Sequence, residues 1–387
     1  RPRRAAAGAA AATAKGPKGS PLDFGRGVSA CSTDSDGSDS STVTYVSSAS
    51  ASEASEDGGG EGSGPEAGAC GPGALHVARR GPGPEPAPGP GRPLCVRVCS
   101  WNLGGRGLAE GGGLVWWLRK GWHTDILVVG LQDLAELGPA QALWRGDGDP
   151  ELLATLEHQV TGALTGGTAD FAKVCSFGTA GLAVLVCARA ELLPHVRHVR
   201  CDCVRTGLGG LSGSEGGLRV ELQVGELAAR FVNVRLPSGP AAAARRDRQL
   251  GRILAEAPRG APACGGPWCS GEPPARRHLT VVLGDLGSHL VPDADEDWLA
   301  RPPEAWLKRD QLLLGRYPCL QDFREGAVRF APTFRAAGGG LPAWRERVLF
   351  RAARGGRAEL LEYGAFGELG RGSDHSAIAA QFKVSLA

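Results

Sequence analysis

The sequence predicts a layered α/β domain of about 290 residues behind a long low-complexity arm, and three observations carry that expectation. Short β-like runs rich in Val, Leu and Ile start at Leu94 and recur to the C-terminus. Stretches with apolar residues at helical spacing fall between several of them. Neither pattern is present before residue 93, where Gly and Pro cluster heavily.

The arm, residues 1–92, divides by composition into three blocks. A basic Ala/Gly segment carries Arg1, Arg3, Arg4, Lys15 and Lys18, an acidic Ser-rich run spans 29–66, and a Pro/Gly linker ends at Pro93. Too little apolar surface is available there to offset the entropy of ordering, so a disordered spacer is expected. The run Ser32, Asp34, Ser35, Asp36, Ser38, Asp39 also suits an acid-directed kinase.

Beyond the arm, strands are expected at Val96–Trp101, Asp125–Leu131, Leu182–Ala188, Leu218–Val224, Ala228–Leu236, His278–Leu283, Arg347–Phe350 and Ala377–Val384. Helices are expected at Leu114–Trp122, Pro150–Leu164 and Ala241–Leu254, the last with Arg245, Arg246, Asp247 and Arg248 on its wet face. Residues 257–277, Pro-containing and without a period, read as a surface loop. No internal repeat is visible.

Charge and cysteine usage narrow the class. With 43 basic and 41 acidic residues the net charge is +2, so no global field favours nucleic acid or an anionic membrane. No apolar run approaches the roughly 20 residues of a bilayer span, and no leader pattern is visible. The 11 Cys residues, an odd number without framework spacing, fit reduced thiols and a cytoplasmic protein. Met is absent and the chain starts at Arg1, which suggests processing or a fragment.

Several expected strands finish in polar clusters, where ligands of α/β sheets gather. These are Ser100-Trp101-Asn102, Gly130-Leu131-Gln132-Asp133 and Gly284-Asp285, with Ser373-Asp374-His375 opening the last strand. An amide, carboxylates and an Asp-His pair are what phosphoester hydrolysis needs: oxygen ligands for Mg²⁺, a base for water, and an imidazole on the phosphoryl oxygens. A single Asp after a strand is more often a turn former or helix cap, so the combination carries the weight.

Taken in order, the runs WNLGGRG at 101–107, TDILVVGLQDL at 124–134, VRTGLGGLSGSEGG at 204–217, RFVNVRLPSG at 230–239, VVLGDLG at 281–287, RDQLLLGRYPCLQDFREGAVRFAPTFR at 309–335, PAWRERVLF at 342–350 and SDHSAIAAQF at 373–382 resemble the inositol polyphosphate 5-phosphatase catalytic domain of the endonuclease/exonuclease/phosphatase superfamily. The resemblance covers 93–387 and looks closest to the proline-rich and muscle-and-kidney-enriched subgroup, whose C-terminal targeting module is not expected in a chain stopping at Ala387. It implies a four-layered α/β sandwich, two packed mixed β-sheets flanked by helices. It also implies a monomer acting on a phosphoinositide headgroup or soluble inositol polyphosphate, with peripheral membrane contact and no nucleic acid.

By resemblance, Asn102 and Asp133 would hold Mg²⁺, with Asp133 where the family has Glu. Asp285 would polarise the attacking water, and His375, with Asp374 beside it, would meet a phosphoryl oxygen. Arg235, Arg335 and Arg347 would bind substrate, Arg335 through a planar fork where the family has Lys. The departures are equally specific. Gly287 replaces a family Asn, Arg235 a His, and Ser214-Glu215-Gly216 an Asn-Lys-Gly loop. The substrate-reading loop shrinks to 336–341, and Cys-Asp-Arg becomes Arg345-Glu346-Arg347. Losing one transition-state donor costs about 10²- to 10³-fold in rate. The expectation is therefore a Mg²⁺-dependent 5-phosphatase of weakened activity, with a catalytically dead pseudophosphatase as the alternative.

Three other patterns invite different chemistry. His195, His198, Cys201 and Cys203 offer zinc-type ligands, but positions three apart on a strand face opposite sides, so an edge strand leading into Arg205-Thr206-Gly207 is expected. Trp116, Trp117 and Trp122 are placed at helical spacing and are expected to bury against the sheet rather than to stack bases. Nucleases share the superfamily, while the 205–210 and 322–333 runs point to inositol phosphates.

Overall fold

Each expected strand forms, and most extend by one to several residues. The computed structural model describes residues 92–386 apart from 109–111, 120–122, 136–147, 168–169, 208–211, 256–267, 270–273, 275, 293–299, 301, 336–339 and 371. The chain divides into two units, Arg1–Ala78 and Arg79–Ala387, and the described residues all belong to the second. The expected arm thus lies outside the described residues except for Arg92, as do Trp122, most of 257–277 and most of the shortened 336–341 loop.

The first sheet contains β1 (Leu94–Asn102), β2 (Ile126–Gln132), β3 (Phe171–Gly178), β4 (Leu182–Arg189), β11 (Gly356–Phe366) and β12 (Ala377–Leu386), in the order β11-β12-β1-β2-β4-β3. The second contains β5 (Val196–Gly207), β6 (Ser212–Val224), β7 (Leu227–Arg235), β8 (Leu279–Asp285), β9 (Arg324–Glu325) and β10 (Glu346–Ala352), in the order β5-β6-β7-β8-β10-β9. Each is antiparallel except for one central parallel pair, β1 with β2 and β7 with β8. The two sheets therefore share one strand plan, although the sequence shows no repeat.

Period-2 alternation explains why these strands read as continuous apolar runs. In β1, Val96 and Val98 enter the core between the sheets, while Cys99 and Trp101 face the helix layer. In β7, Ala229 and Phe231 face the first sheet while Val232 and Val234 face outward. Both faces are buried, so both sets are apolar. Helices α1 (Gly112–Arg119) and α2 (Pro150–Leu164) cover the first sheet through Leu114, Trp117, Leu118, Leu156 and Val160. Helix α3 (Ala243–Ala255) covers the second through Leu250 and Ile253. A short helix, α4 (Pro303–Leu307), precedes the 309–335 run. The four-layered sandwich follows directly.

Strands β3 and β9 add to those expected, and three other departures have physical reasons. Strand β11 carries Ala, Glu and Leu in a sequence of helical composition, and it is drawn into the sheet by its antiparallel partner β12. Arg246, expected on the wet face of α3, is fully buried; its guanidinium donates to the Pro237 and Gly239 carbonyls, Tyr317 Oη and Gln311. Residues 196–203 lie in edge strand β5, with His195 in the turn just before it, and no metal-type cluster forms there among the described residues. Trp117 is buried, whereas Trp116 is 54% exposed against Phe366.

Candidate active site

The polar residues expected at strand ends meet where the two sheets part. Asn102 is the last residue of β1, Asp133 follows the last residue of β2, and Arg235 and Asp285 end β7 and β8. These are the carboxyl ends of both parallel pairs, where α/β sheets collect ligands. The same alternation that puts Val96 and Val98 between the sheets puts Asn102 there, and Asp285 follows Leu279, Val281 and Leu283 in the same way. The seam also has a buried polar floor: Gln132 Nε2 donates to Asn233 Oδ1 at 2.6 Å, and Asn233 Nδ2 to the Leu131 and Ala183 carbonyls.

Register fixes the second half of the site. Arg235 pairs with Asp285 across the parallel ladder, and Asp285 with Glu346 across the antiparallel one, so three neighbouring strands present one row. Asn102 Nδ2 donates to both Asp133 Oδ2 and Asp285 Oδ2 at 3.0 Å, joining the two sheets. Arg235 Nε lies 2.5 Å from Asp133 Oδ1. Asp133 itself has φ 48°, a left-handed conformation that Asp tolerates better than most residues.

On the opposite side, His375 is held by Glu346 at Nδ1, and its Nε2 lies 3.7 Å from Asp374 Oδ1. The ligand-type atoms of Asp285, Glu346 and His375 all lie within 4.8 Å of one another. Phe334 lies between His375, its ring tilted with centroids 4.9 Å apart, and Arg345, whose guanidinium carbon is 3.4 Å from the Phe334 centroid. Arg345 Nη2 also lies 3.1 Å from His289 Nε2, which accepts from the Gly239 N–H.

Burial and charge set the protonation states. Burial opposes ionisation of Asp285, but the His375 imidazole and the Arg345 and Arg235 guanidiniums outweigh it, so its pKa falls below the usual carboxylate value. Burial alone would lower His375, yet Glu346, with Asp285 and Asp374, raises it to about 9. His289 goes the other way, to about 4, through burial and the nearby Arg345 and Arg246 charges. It is a neutral acceptor at pH 7.

The structure separates the three arginines expected on substrate. Arg235 faces the seam. Arg335 is exposed at the rim, with its backbone N–H on the Asp374 carbonyl, beside a pocket lined by Trp306, Phe330 and Pro342. Arg347 is a correction: it is fully buried, with Nε on Glu325 Oε1 at 2.6 Å and Nη1 on Asp310 Oδ1 at 2.8 Å. Strand alternation turns position 347 away from the row of Glu346, and its charge is spent on internal pairs. Arg345 and Glu346 are the site residues that sequence reasoning did not assign; the departure from Cys-Asp-Arg was the available signal.

The donor set, as its side chains stand, does not fit a divalent cation. Mg²⁺ needs oxygen ligands in near-octahedral array. Asp133 is shared between Arg235 and Asn102, Asp285 accepts from Asn102 and from the Gly287 N–H at 2.8 Å, and one oxygen of Glu346 is taken by His375. Asn102 turns its Nδ2 towards the carboxylates while its Oδ1 accepts from the Gly104 N–H.

Comparison with known proteins agrees with the fold. A family model described as Endonuclease/Exonuclease/phosphatase family 2 matches residues 99–381. Human phosphatidylinositol 4,5-bisphosphate 5-phosphatase A is 30% identical over 253 residues, covering 57% of this chain and 24% of the human protein. Type I inositol polyphosphate 5-phosphatase 5 of Arabidopsis thaliana is 29% identical over 245 residues, covering 57% of this chain and 45% of the plant protein. The chain thus spans less than half the length of these curated relatives. Among solved structures, the inositol polyphosphate 5-phosphatase domain of SPsynaptojanin, in complex with inositol (1,4)-bisphosphate and calcium ion, superposes with a TM-score of 0.56 at 19% identity, over 76% of this chain and 86% of that one. A Cimex nitrophorin ferrous NO complex gives 0.54 at 16% identity, over 77% and 100%. One fold thus carries unrelated ligands, and function must be argued from the site.

Proposed function

The chain belongs to endonuclease/exonuclease/phosphatase family 2 and is related there to inositol polyphosphate 5-phosphatases; on that premise we propose that its seam binds the phosphorylated ring of a phosphoinositide or soluble inositol polyphosphate and removes the 5-phosphate slowly. The observation that carries this reading is the convergence of Asn102, Asp285, Glu346 and His375, from both sheets, at one strand-end cluster.

Hydrolysis of a phosphomonoester joins a water oxygen to phosphorus and breaks the bond to the ring oxygen, which leaves with a proton. Asp285, kept ionised, accepts from the attacking water and orients it. His375, protonated at neutral pH and fixed by Glu346, donates to a phosphoryl or leaving oxygen. Arg235 and Arg345 face the charge that develops on the phosphoryl group, and Arg335 holds a second phosphate at the rim. Gly287 supplies no side-chain donor, which lowers the rate by about 10²- to 10³-fold. Arg235 cannot shuttle a proton at neutral pH. The lipid substrate gives the domain peripheral membrane contact from the cytoplasm, as a monomer and without nucleic acid.

Phosphate release from a short-chain bisphosphorylated phosphoinositide, measured with and without Mg²⁺ beside Asp285→Ala, tests this. Mg²⁺ belongs in the assay because the resemblance implies it, with Asn102 and Asp133 as the residues that would hold it once the Arg235 pair opens. Slow release that disappears in Asp285→Ala is expected. The Arg235–Asp133 pair favours a second reading, a pseudophosphatase that binds the headgroup without turnover. Binding with no release at high protein concentration would select it.

A further inference from the structure

We propose that Arg235 and Arg345 take the place of a divalent cation in this chain, so that the seam holds a phosphomonoester without metal. The inference deepens the reading above and rests on it, since it assumes that a phosphate group enters the seam. Asp285 lies between the two flanking strands, β7 and β10; Arg235 ends the first and Arg345 immediately precedes the second, and both guanidiniums act on its carboxylate. Arg235 is its partner across the parallel ladder, and the Arg345 carbonyl accepts from the Leu286 N–H, one residue beyond Asp285.

Charge balance gives the argument its force. Glu346 pairs with His375 through one oxygen, and Asp374, 50% exposed, is screened by water, which leaves the less exposed carboxylates of Asp133 and Asp285 beside the guanidiniums of Arg235 and Arg345. Two fixed positive charges match two negative ones, equal to what one divalent ion would bring. A divalent ion added to this balanced set would be an uncompensated charge in a largely buried site, which is costly. Both arginines stand at positions where the sequence departs from the family pattern, Arg235 for His and Arg345 for Cys.

A second observation points to a ligand rather than to a closed structural network. Arg345 is only 9% exposed, yet its Nε is buried without a hydrogen-bond partner. A buried guanidinium N–H left unpaired is expensive, and an acceptor oxygen on a bound phosphate would satisfy it. The planar guanidinium fork suits such oxygens better than an ammonium would.

The test uses the full chain and two probes: inositol 1,4,5-trisphosphate, titrated in EDTA and in Mg²⁺, and Mn²⁺ followed by electron paramagnetic resonance. Wild type is compared with R235Q and R345Q, each checked for folding by its thermal transition. The expected result is trisphosphate affinity equal within twofold in EDTA and Mg²⁺, reduced at least tenfold by R235Q. Mn²⁺ uptake is expected to be at least tenfold tighter in R235Q than in wild type, because Asp133 is released. R345Q, if folded, reproduces the loss of trisphosphate affinity. Trisphosphate binding that appears only with Mg²⁺, or that ignores R235Q, overturns the inference while leaving the phosphate reading in place. Absence of trisphosphate binding under every condition overturns the phosphate reading. The Mn²⁺ arm then judges the arginine by itself, and wild type binding Mn²⁺ as tightly as R235Q overturns the substitution of metal by guanidinium.

Discussion

Arg235 Nε, at the carboxyl end of β7, lies 2.5 Å from Asp133 Oδ1, just past the end of β2, so an ion pair spans the mouth of the seam between the two sheets. Each side chain keeps 27% of its surface, so water screens the pair in part. A double-mutant cycle with R235Q and D133N, read by urea denaturation, is expected to give a coupling energy of about 1 kcal/mol. A coupling of zero would mean that the pair does not form in solution.

Gly287 is more than a missing side chain. Its φ is +60°, and a Cβ built there falls 2.5 Å from the Pro237 carbonyl oxygen and 3.2 Å from the Leu236 oxygen. Asn tolerates the left-handed conformation, but backbone oxygens on the neighbouring loop do not yield as a flexible side chain does. G287N is therefore expected to lose about 1–3 kcal/mol of stability and to leave phosphate release no faster. A thermal midpoint equal to wild type, with faster release, would show that the loop readily gives way.

Arg347 and Arg335 behave oppositely. Removing Arg347 leaves Asp310, fully buried, and Glu325, nearly so, without their cation, which is expected to cost about 3–5 kcal/mol. R335A, at an exposed position, is expected to stay within about 0.5 kcal/mol of wild type while weakening inositol phosphate binding. Denaturation curves for both variants decide; a stable R347A would remove the internal-pair assignment.

Two histidines are expected to give stability a maximum near pH 6.5. The folded pKa of His375, about 9, lies above its ordinary value of 6.5, so its contribution is complete below pH 6.5 and is lost as pH rises through 9. His289, with a folded pKa of about 4, takes up its proton more readily when unfolded, so stability is lost as pH falls from 6.5 towards 4. Asp285 adds to the acid side, because its folded pKa is lowered. Denaturation midpoints measured from pH 4 to 9.5 are expected to peak near pH 6.5. In H375Q the alkaline fall should flatten, and a fall of undiminished slope would assign it to other groups.

Much of the fold was legible because both sheets are buried on both faces. Apolar-rich runs such as Ile126–Leu131 and Leu279–Leu283 mark central strands without any partner being known. The edge strand β11 was not, since its exposed positions carry Leu and Glu at spacing that also suits a helix, and only pairing with β12 decides its form. At the site, Asn102, Asp133 and Asp285 stood out as polar residues ending apolar runs, and His375 as one opening the last. Arg345 and Glu346 did not, because their adjacency to Asp285 is a matter of register between β8 and β10.

By itself, then, the sequence determined which segments alternate, roughly where most strands lie, and that several of them end in polar residues. Those are local properties, fixed by side-chain period and by the turn preferences of a few residues. Tertiary structure alone decided which charges meet. It turned Arg347 inwards to Glu325 and Asp310, set Arg235 on Asp133, and placed Arg345 beside Asp285. Electrostatic partnership depends on distance and burial across strands far apart in the chain, and no one-dimensional pattern encodes either.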